Sequence, residues 1–280
     1  MPVVVQFGAG NIGRGFIAPT FATAGWQIVF VDVDRTRIAA LNQRRAYRVH
    51  EVDNHREHIV LVSPVDGILA EDIDSVAQAV ATADLVATAV GLGALPKLGK
   101  SIALGLIKRM AMGSNPLDIL VCENGIHAST VLRAAILAHI PESNRTSADG
   151  MLGLVRTSIG RMIPAAGADA DVLDICVEPY ARLPVDRNEF RGAVPEVANL
   201  EATERFDLVL QQKLYVHNLT HACLAYAGHL RGYETIPDCM DDEDLVRGIR
   251  AAGAEVSDAL SLEHASTPAD QAAVRAAVSY

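Results

Sequence analysis

The most constraining feature of the chain is a glycine pattern set at the end of a short β-branched run. Val3 to Phe7 reads as a buried strand. It is followed at once by Gly8-Ala9-Gly10-Asn11-Ile12-Gly13, which fits G-x-G-x-x-G. Ile12 to Ala24 then reads as a helix that stops at Gly25. Strand, glycine turn and helix in this order admit few folds. Gly8 permits a tight turn, Gly10 allows a pyrophosphate to approach the backbone, and Gly13 lets the helix pack close to the strand. The helix N-terminus adds unpaired N–H groups and partial positive charge.

The pattern alone is a weak signal, and its context strengthens it. Gln27 to Val33 reads as a second buried strand, and Asp32 near its end lies 24 residues after Gly8, close to the spacing of about 20 expected for an acid that meets an adenosine ribose. A carboxylate there accepts ribose hydrogen bonds and repels a 2′-phosphate, so the expected cofactor is NAD, although Arg35 and Arg37 stand nearby and could serve a phosphate.

The alternation continues. Arg35 to Arg45 reads as helix, Ile59 to Val62 as strand, Ser75 to Ala83 as helix and Asp84 to Val90 as strand. Lys97 to Met112 then reads as helix, Ile119 to Cys122 as strand, Thr130 to His139 as helix, and Val172 to Val177 as a strand near the sheet edge. This is the signature of an α/β fold, a Rossmann-type doubly wound parallel sheet. After about Pro195 the character changes, and Ala202 to Leu230 and Asp244 to Leu262 read as helix. The expected organisation is a dinucleotide-binding domain over 1–195 and a mainly α-helical substrate and catalytic domain over 196–280. Val90, after the fourth predicted strand, and Asn124, after the fifth, fall beside the same crevice, because ligands of open α/β sheets lie outside the carboxyl ends of the strands. For Glu123 and Asn124, turn chemistry is an equal alternative.

Composition narrows the partners. The net charge of −10 disfavours nucleic acid and acidic membranes. No stretch of about 18 apolar residues appears, so no membrane span is expected. The start of the chain lacks the basic region and apolar run of a signal peptide. The four cysteines, at 122, 176, 223 and 239, form no C-x-x-C pair. Free thiols in a cytoplasmic protein are the expectation.

A candidate catalytic set lies in the helical part. Lys213, Asn218 and His221 fall at about 0°, 140° and 80° around an α-helix, on one broad face. A lysine in a partly dry pocket loses its proton more easily and can act as a base. An amide and an imidazole can hydrogen-bond a reacting oxygen. By spacing alone, a solvated lysine and a histidine packed at a helix contact explain the pattern better than a catalytic set does. His217 and His221 are four apart, but they lack the Glu of H-E-x-x-H and a clear third ligand, so no metal site is expected.

Several segments together carry a family resemblance. Phe7-Gly-Ala-Gly-Asn-Ile-Gly-Arg-Gly-Phe-Ile17, Asp84-Leu-Val-Ala-Thr-Ala-Val-Gly91, Cys122-Glu-Asn124, Phe190-Arg-Gly-Ala-Val-Pro195 and Lys213-Leu-Tyr-Val-His-Asn-Leu-Thr-His221 resemble the mannitol dehydrogenase family of polyol-specific long-chain dehydrogenases, and within it the mannitol-1-phosphate dehydrogenases. The resemblance implies a metal-independent, NAD-dependent oxidoreductase interconverting a polyol phosphate and a ketose phosphate. Lys213 would be general base, and Asn218 and His221 would bind and polarise the substrate oxygen. Arg14, Lys97, Arg156 and Arg161 are the basic residues considered for a phosphate. The alternatives are an unphosphorylated polyol or sugar acid as substrate, or an NAD-binding relative without turnover. Two departures stand out. Ser158-Ile-Gly-Arg161 replaces a V-D-R-I-type segment, with Arg156 where the family often has Asp or Asn. Family members also run considerably further, so a shortened helical domain is expected.

Overall fold

The β-branched runs become strands of a parallel sheet in the computed structural model, which describes residues 1–53, 55–163 and 171–265. The chain divides into two units, Met1–Glu204 and Arg205–Tyr280. The first unit carries β1 (Val3–Phe7), β2 (Gln27–Asp32), β3 (Tyr47–Val52), β4 (Glu57–Val62), β5 (Val65–Leu69), β6 (Leu85–Thr88), β7 (Leu117–Val121), β8 (Leu152–Arg156), β9 (Ile175–Val177), β10 (Leu183–Asp186) and β11 (Leu200–Thr203). Six of these form one sheet in the order β5-β2-β1-β6-β7-β8, parallel throughout. The chain winds outward from β1 to β5, returns beside β1 as β6, and winds outward again to β8. The strand order therefore reverses between β1 and β6, which is where such sheets open a ligand crevice.

The strands read as nearly continuous apolar runs because both faces are covered. Val4, Ile28 and Phe30 pack on one face with Phe16, Phe21, Ile38 and Leu41. Val5, Phe7 and Val31 pack on the other with Val80, Ile102, Leu106, Leu132 and Ile136. The first layer comes from the segment after the glycine turn and the helix Arg35–Arg44. The second comes from helices Ile73–Thr82, Gly99–Ala111 and Ala128–Leu137.

The structure departs from the sequence expectation in several places. The strand expected at 59–62 is β4, but it pairs antiparallel with β3 in a separate three-stranded sheet, order β4-β3-β9. The strand expected at 172–177 is the shorter β9, and it joins β3 rather than the edge of the main sheet. The edges of the main sheet are β5 and β8. Polar or glycine residues interrupt both, Asp66 and Gly67 in one and Gly153 in the other, which weakens the sequence pattern. Gly67 on the β5 edge is paired by a side chain instead of a strand: its N–H donates to Asn42 Oδ1 at 2.7 Å, and its carbonyl accepts from Asn42 Nδ2 at 2.9 Å. The helix expected from Lys97 starts as a 3₁₀ turn, Leu95–Leu98, and becomes α-helical at Gly99. Beyond Pro195, β11 runs parallel to β10, so the first unit continues to Glu204.

The second unit is helical in its described residues. Phe206–Gln211, Gln212–His217 and Asn218–Leu230 follow one another without a break, and Gln212–His217 is a π-helical turn. Ile236–Cys239 and the longer Glu243–His264 complete it, the latter capped by Asp242 accepting from the Leu245 N–H at 2.9 Å. No helix among the described residues is long and apolar enough to cross a membrane.

Gly153 is a position where a close approach demands glycine. A Cβ there would collide with the buried Asp118 carboxylate and come within 2.9 Å of the Glu189 carbonyl. Gly153→Ala is expected to cost about 1–3 kcal/mol, read as a lower denaturant midpoint with an unchanged slope.

Candidate functional site

The glycine turn leaves β1 at the point where the strand order reverses. Gly8 has φ +92°, and a Cβ there would strike the Ala89 carbonyl just past β6. Gly13 lies so close to the Gly8 carbonyl that a Cβ would overlap it. Gly10 is different: a Cβ there meets nothing within 4 Å. Two of the glycines are thus required by packing, while the third faces open space, as it should if a ligand is to reach the backbone. The helix begins with a π turn, Gly13–Ile17, in which the Ala18 N–H donates to the Gly13 carbonyl.

The peptide of Ala9 is held at both ends. Its N–H donates to Asp32 Oδ2 at 2.6 Å, and its carbonyl accepts from Arg14 Nε at 2.7 Å. Asp32 Oδ1 accepts from the Asp34 N–H at 2.9 Å, so the carboxylate is anchored at the end of β2. Arg14 is buried, and its guanidinium also donates to the Leu173 carbonyl, while its own carbonyl accepts from Tyr47 Oη at 2.7 Å. Burial pulls the Arg14 pKa down. Beneath the turn, the fully buried Gln6 amide donates to the Phe7 carbonyl at 2.7 Å and more weakly to the Gly8 carbonyl at 3.3 Å.

Across the switch point, Glu123 follows β7. Its Oε2 accepts from Thr88 Oγ1 at 2.6 Å, and its Oε1 accepts from the Val90 N–H at 3.0 Å. Burial raises the Glu123 pKa. Glu123 therefore fixes the exit of β6 and the backbone of Val90. Spacing offered a place in the crevice or turn chemistry for Glu123, whereas its side chain ties β7 to the distant end of β6. The residues expected to bind a cofactor, Gly8, Ala9, Gly10, Asn11, Ile12, Gly13, Asp32, Val90 and Asn124, all lie at the carboxyl ends of β1, β2, β6 and β7. No local signal marks the parts played by Gln6, Arg14 and Tyr47, because ordinary core or surface residues show the same pattern.

In the second unit, Lys213, Asn218 and His221 share one helical run. The α-helical angles assigned from sequence do not apply, because the turn between Lys213 and Asn218 is π-helical. The Asn218 N–H donates to the Lys213 carbonyl. An i→i+5 bond stacks the two residues one turn apart, on the same side of the helix. His221 follows three residues later in regular α-helix. Its ring centroid is 6.0 Å from that of His217. Lys213 is half-buried, and burial lowers its pKa from the ordinary lysine value. Among the described residues no group of three or more His, Cys, Asp or Glu side chains could hold a metal ion.

Residues 2–199 match the family model of the mannitol dehydrogenase Rossmann domain. The chain belongs to the mannitol dehydrogenase family. Solved structures agree at the level of fold. A D-sorbitol dehydrogenase in substrate-free form superposes with a TM-score of 0.78 at 18% identity, over 89% of this chain and 63% of that one. A Pseudomonas fluorescens mannitol 2-dehydrogenase in ternary complex with NAD and D-mannitol superposes with a TM-score of 0.74 at 18% identity, over 99% of this chain and 68% of that one. Octopine dehydrogenase in complex with NADH and agmatine is more distant, with a TM-score of 0.52 at 11% identity over 84% of this chain and 56% of that one. The chain thus spans about two thirds of the length of its polyol dehydrogenase relatives.

Gly10 and Gly13 are expected to respond differently to alanine. Gly10→Ala should leave the melting temperature unchanged and weaken dinucleotide binding about tenfold or more, because the methyl group enters ligand space. Gly13→Ala should lower stability by about 1–3 kcal/mol through its clash with the Gly8 carbonyl. Thermal unfolding beside a dinucleotide titration checks both.

Proposed function

We propose that this member of the mannitol dehydrogenase family is a metal-independent, NAD-dependent oxidoreductase that interconverts a polyol and a ketose. The observation that carries the reading is the glycine turn with an open Gly10 and an anchored Asp32. NAD fits these residues better than NADP. Asp32 presents a carboxylate where a 2′-phosphate would sit. The neighbouring arginines are already matched to acids, Arg35 to Glu71 and Arg37 to Asp34 at 3.3 Å.

Bound NAD supplies the hydride acceptor for polyol oxidation, and NADH the donor for the reverse. Lys213 Nζ takes the hydroxyl proton in oxidation and returns it in reduction. Its lowered pKa supports that role, since a base must be unprotonated when it acts. The Asn218 amide and the His221 imidazole donate hydrogen bonds to the reacting oxygen, where charge develops. The π turn that stacks Lys213 on Asn218 supports their joint action.

The family resemblance favours a phosphorylated pair of the mannitol 1-phosphate and fructose 6-phosphate type. One observation favours the unphosphorylated pair. Of the four basic residues offered for a phosphate, three are committed elsewhere. Arg14 holds the Ala9 and Leu173 carbonyls. Arg156 is bound to Glu189 and Asp186. Arg161 is buried against the Gly15 and Glu178 carbonyls and Glu51. Lys97 is exposed. The four unpaired cysteines support a reducing, cytoplasmic setting.

The test is loss of reduced-nicotinamide absorbance with NADH and either fructose or fructose 6-phosphate. Turnover should fall about 100-fold or more in Lys213→Ala, and the rate of polyol oxidation in the parent protein should rise with pH and level off below the ordinary lysine pKa of 10.5. NADH binding without turnover of either sugar would overturn the reading.

A further inference from the structure

The segment Phe190-Arg-Gly-Ala-Val-Pro195 takes no part in the dinucleotide crevice, yet the fold commits several groups to placing it. The N–H of Arg191 donates to Asp118 Oδ1 at 2.8 Å, and the N–H of Gly192 donates to Asp118 Oδ2 at 2.9 Å. Asp118 is a buried carboxylate inside β7. Gly153 in β8 and Gly192 allow this approach, since a Cβ at either would crowd Asp118. A buried acid and two glycines thus hold the backbone of Arg191 against the edge of the sheet.

Arg191, the residue so anchored, lines a small cavity of about 210 Å³. Its walls are Ser129, Thr130, Arg133, Leu154, Asn188, Glu189 and Arg191, so all but one are polar. Its charged lining residues are Arg133, Glu189 and Arg191. Arg133 is paired with Asp149. Glu189 is paired with Arg156, which donates to Oε1 through Nε at 3.0 Å and to Oε2 through its backbone N–H at 2.6 Å. Asn188 spends one amide hydrogen on the Glu204 carbonyl, at 3.2 Å. Within the described residues the Arg191 guanidinium and the Ser129 and Thr130 hydroxyls have no hydrogen-bond or ion-pair partner. The cavity therefore gathers one guanidinium and two hydroxyl groups that no described residue pairs. Arg133 lines the same cavity.

We propose that this cavity is an oxyanion site that takes a phosphate group, with Arg191 as its principal charged ligand and Ser129, Thr130 and Arg133 as supporting donors. Guanidinium and hydroxyl groups match the tetrahedral oxygens of phosphate through charge-assisted hydrogen bonds. None of the four basic residues considered for phosphate from sequence lines it. Two sources share the chemistry, inorganic phosphate and the phosphate of a phosphorylated sugar.

The site can be tested without any turnover, so its outcome is separate from that of the polyol reading. Inorganic phosphate is titrated calorimetrically at low ionic strength into the full chain, into Arg191→Ala and into Ser129→Ala/Thr130→Ala. None of these side chains bonds to the rest of the described structure, so unchanged melting temperatures are expected. Phosphate affinity should fall about tenfold in Arg191→Ala and by a smaller factor in the double variant. NADH affinity should be unchanged in both. Competition by fructose 6-phosphate but not fructose, lost in Arg191→Ala, would identify the sugar phosphate as the source. Phosphate binding without such competition would identify the free anion. Phosphate affinity equal in all three proteins, or no saturable binding at millimolar concentration, overturns the proposal.

Discussion

The geometry of the first unit depends on one peptide. Ala9 sits between Gly8 and Gly10, where the backbone has the most freedom. Asp32 holds its N–H and Arg14 holds its carbonyl. The first bond ties the turn to β2, and the second ties it to the helix that follows. Arg14 carries the constraint onward to Leu173, and Tyr47 closes on the Arg14 carbonyl. A flexible turn is thereby made rigid before any ligand arrives, which reduces the ordering that binding must impose. On the proposed reading Asp32 has two tasks, since the carboxylate that would meet a ribose is also the one that anchors the loop.

Much of this was legible in the sequence, because it depends on short-range patterns. Gly8, Gly10 and Gly13 each announce a backbone demand at a fixed offset from a strand. Asp32 follows at the spacing that a strand–helix–strand unit sets. The central strands are apolar on both faces, so their runs are easy to read. The parts that escaped notice depend on distant partners. Strands β5 and β8 carry Gly67 and Gly153, whose reasons lie on other elements, the Asn42 amide and the Asp118 carboxylate. Arg14 stood among four basic residues considered for a phosphate, and nothing in the sequence chose among them. The carbonyls that occupy it belong to Ala9 and the far-off Leu173.

The helical unit teaches a related lesson about angle. Uniform α-helical rotation set Lys213 and Asn218 well apart on one broad face. The π turn between them removes most of that separation. No residue type in Gln212–His217 signals a π turn, so the pattern K-x4-N-x2-H carried the information only through its likeness to a family. The half-buried setting of the lysine lowers its pKa, while the π turn sets its place relative to Asn218.

The central claim is that the Ala9–Asp32 arrangement binds NAD. Fluorescence titration of NADH and NADPH into the parent protein and Asp32→Ala tests it most directly. The account predicts tighter binding of NADH than of NADPH in the parent. In the variant, it predicts weaker NADH binding and a narrowed preference, since both the ribose acceptor and the loop anchor are lost. Preference for NADPH in the parent, or an Asp32→Ala protein with unchanged affinity for both, would contradict it.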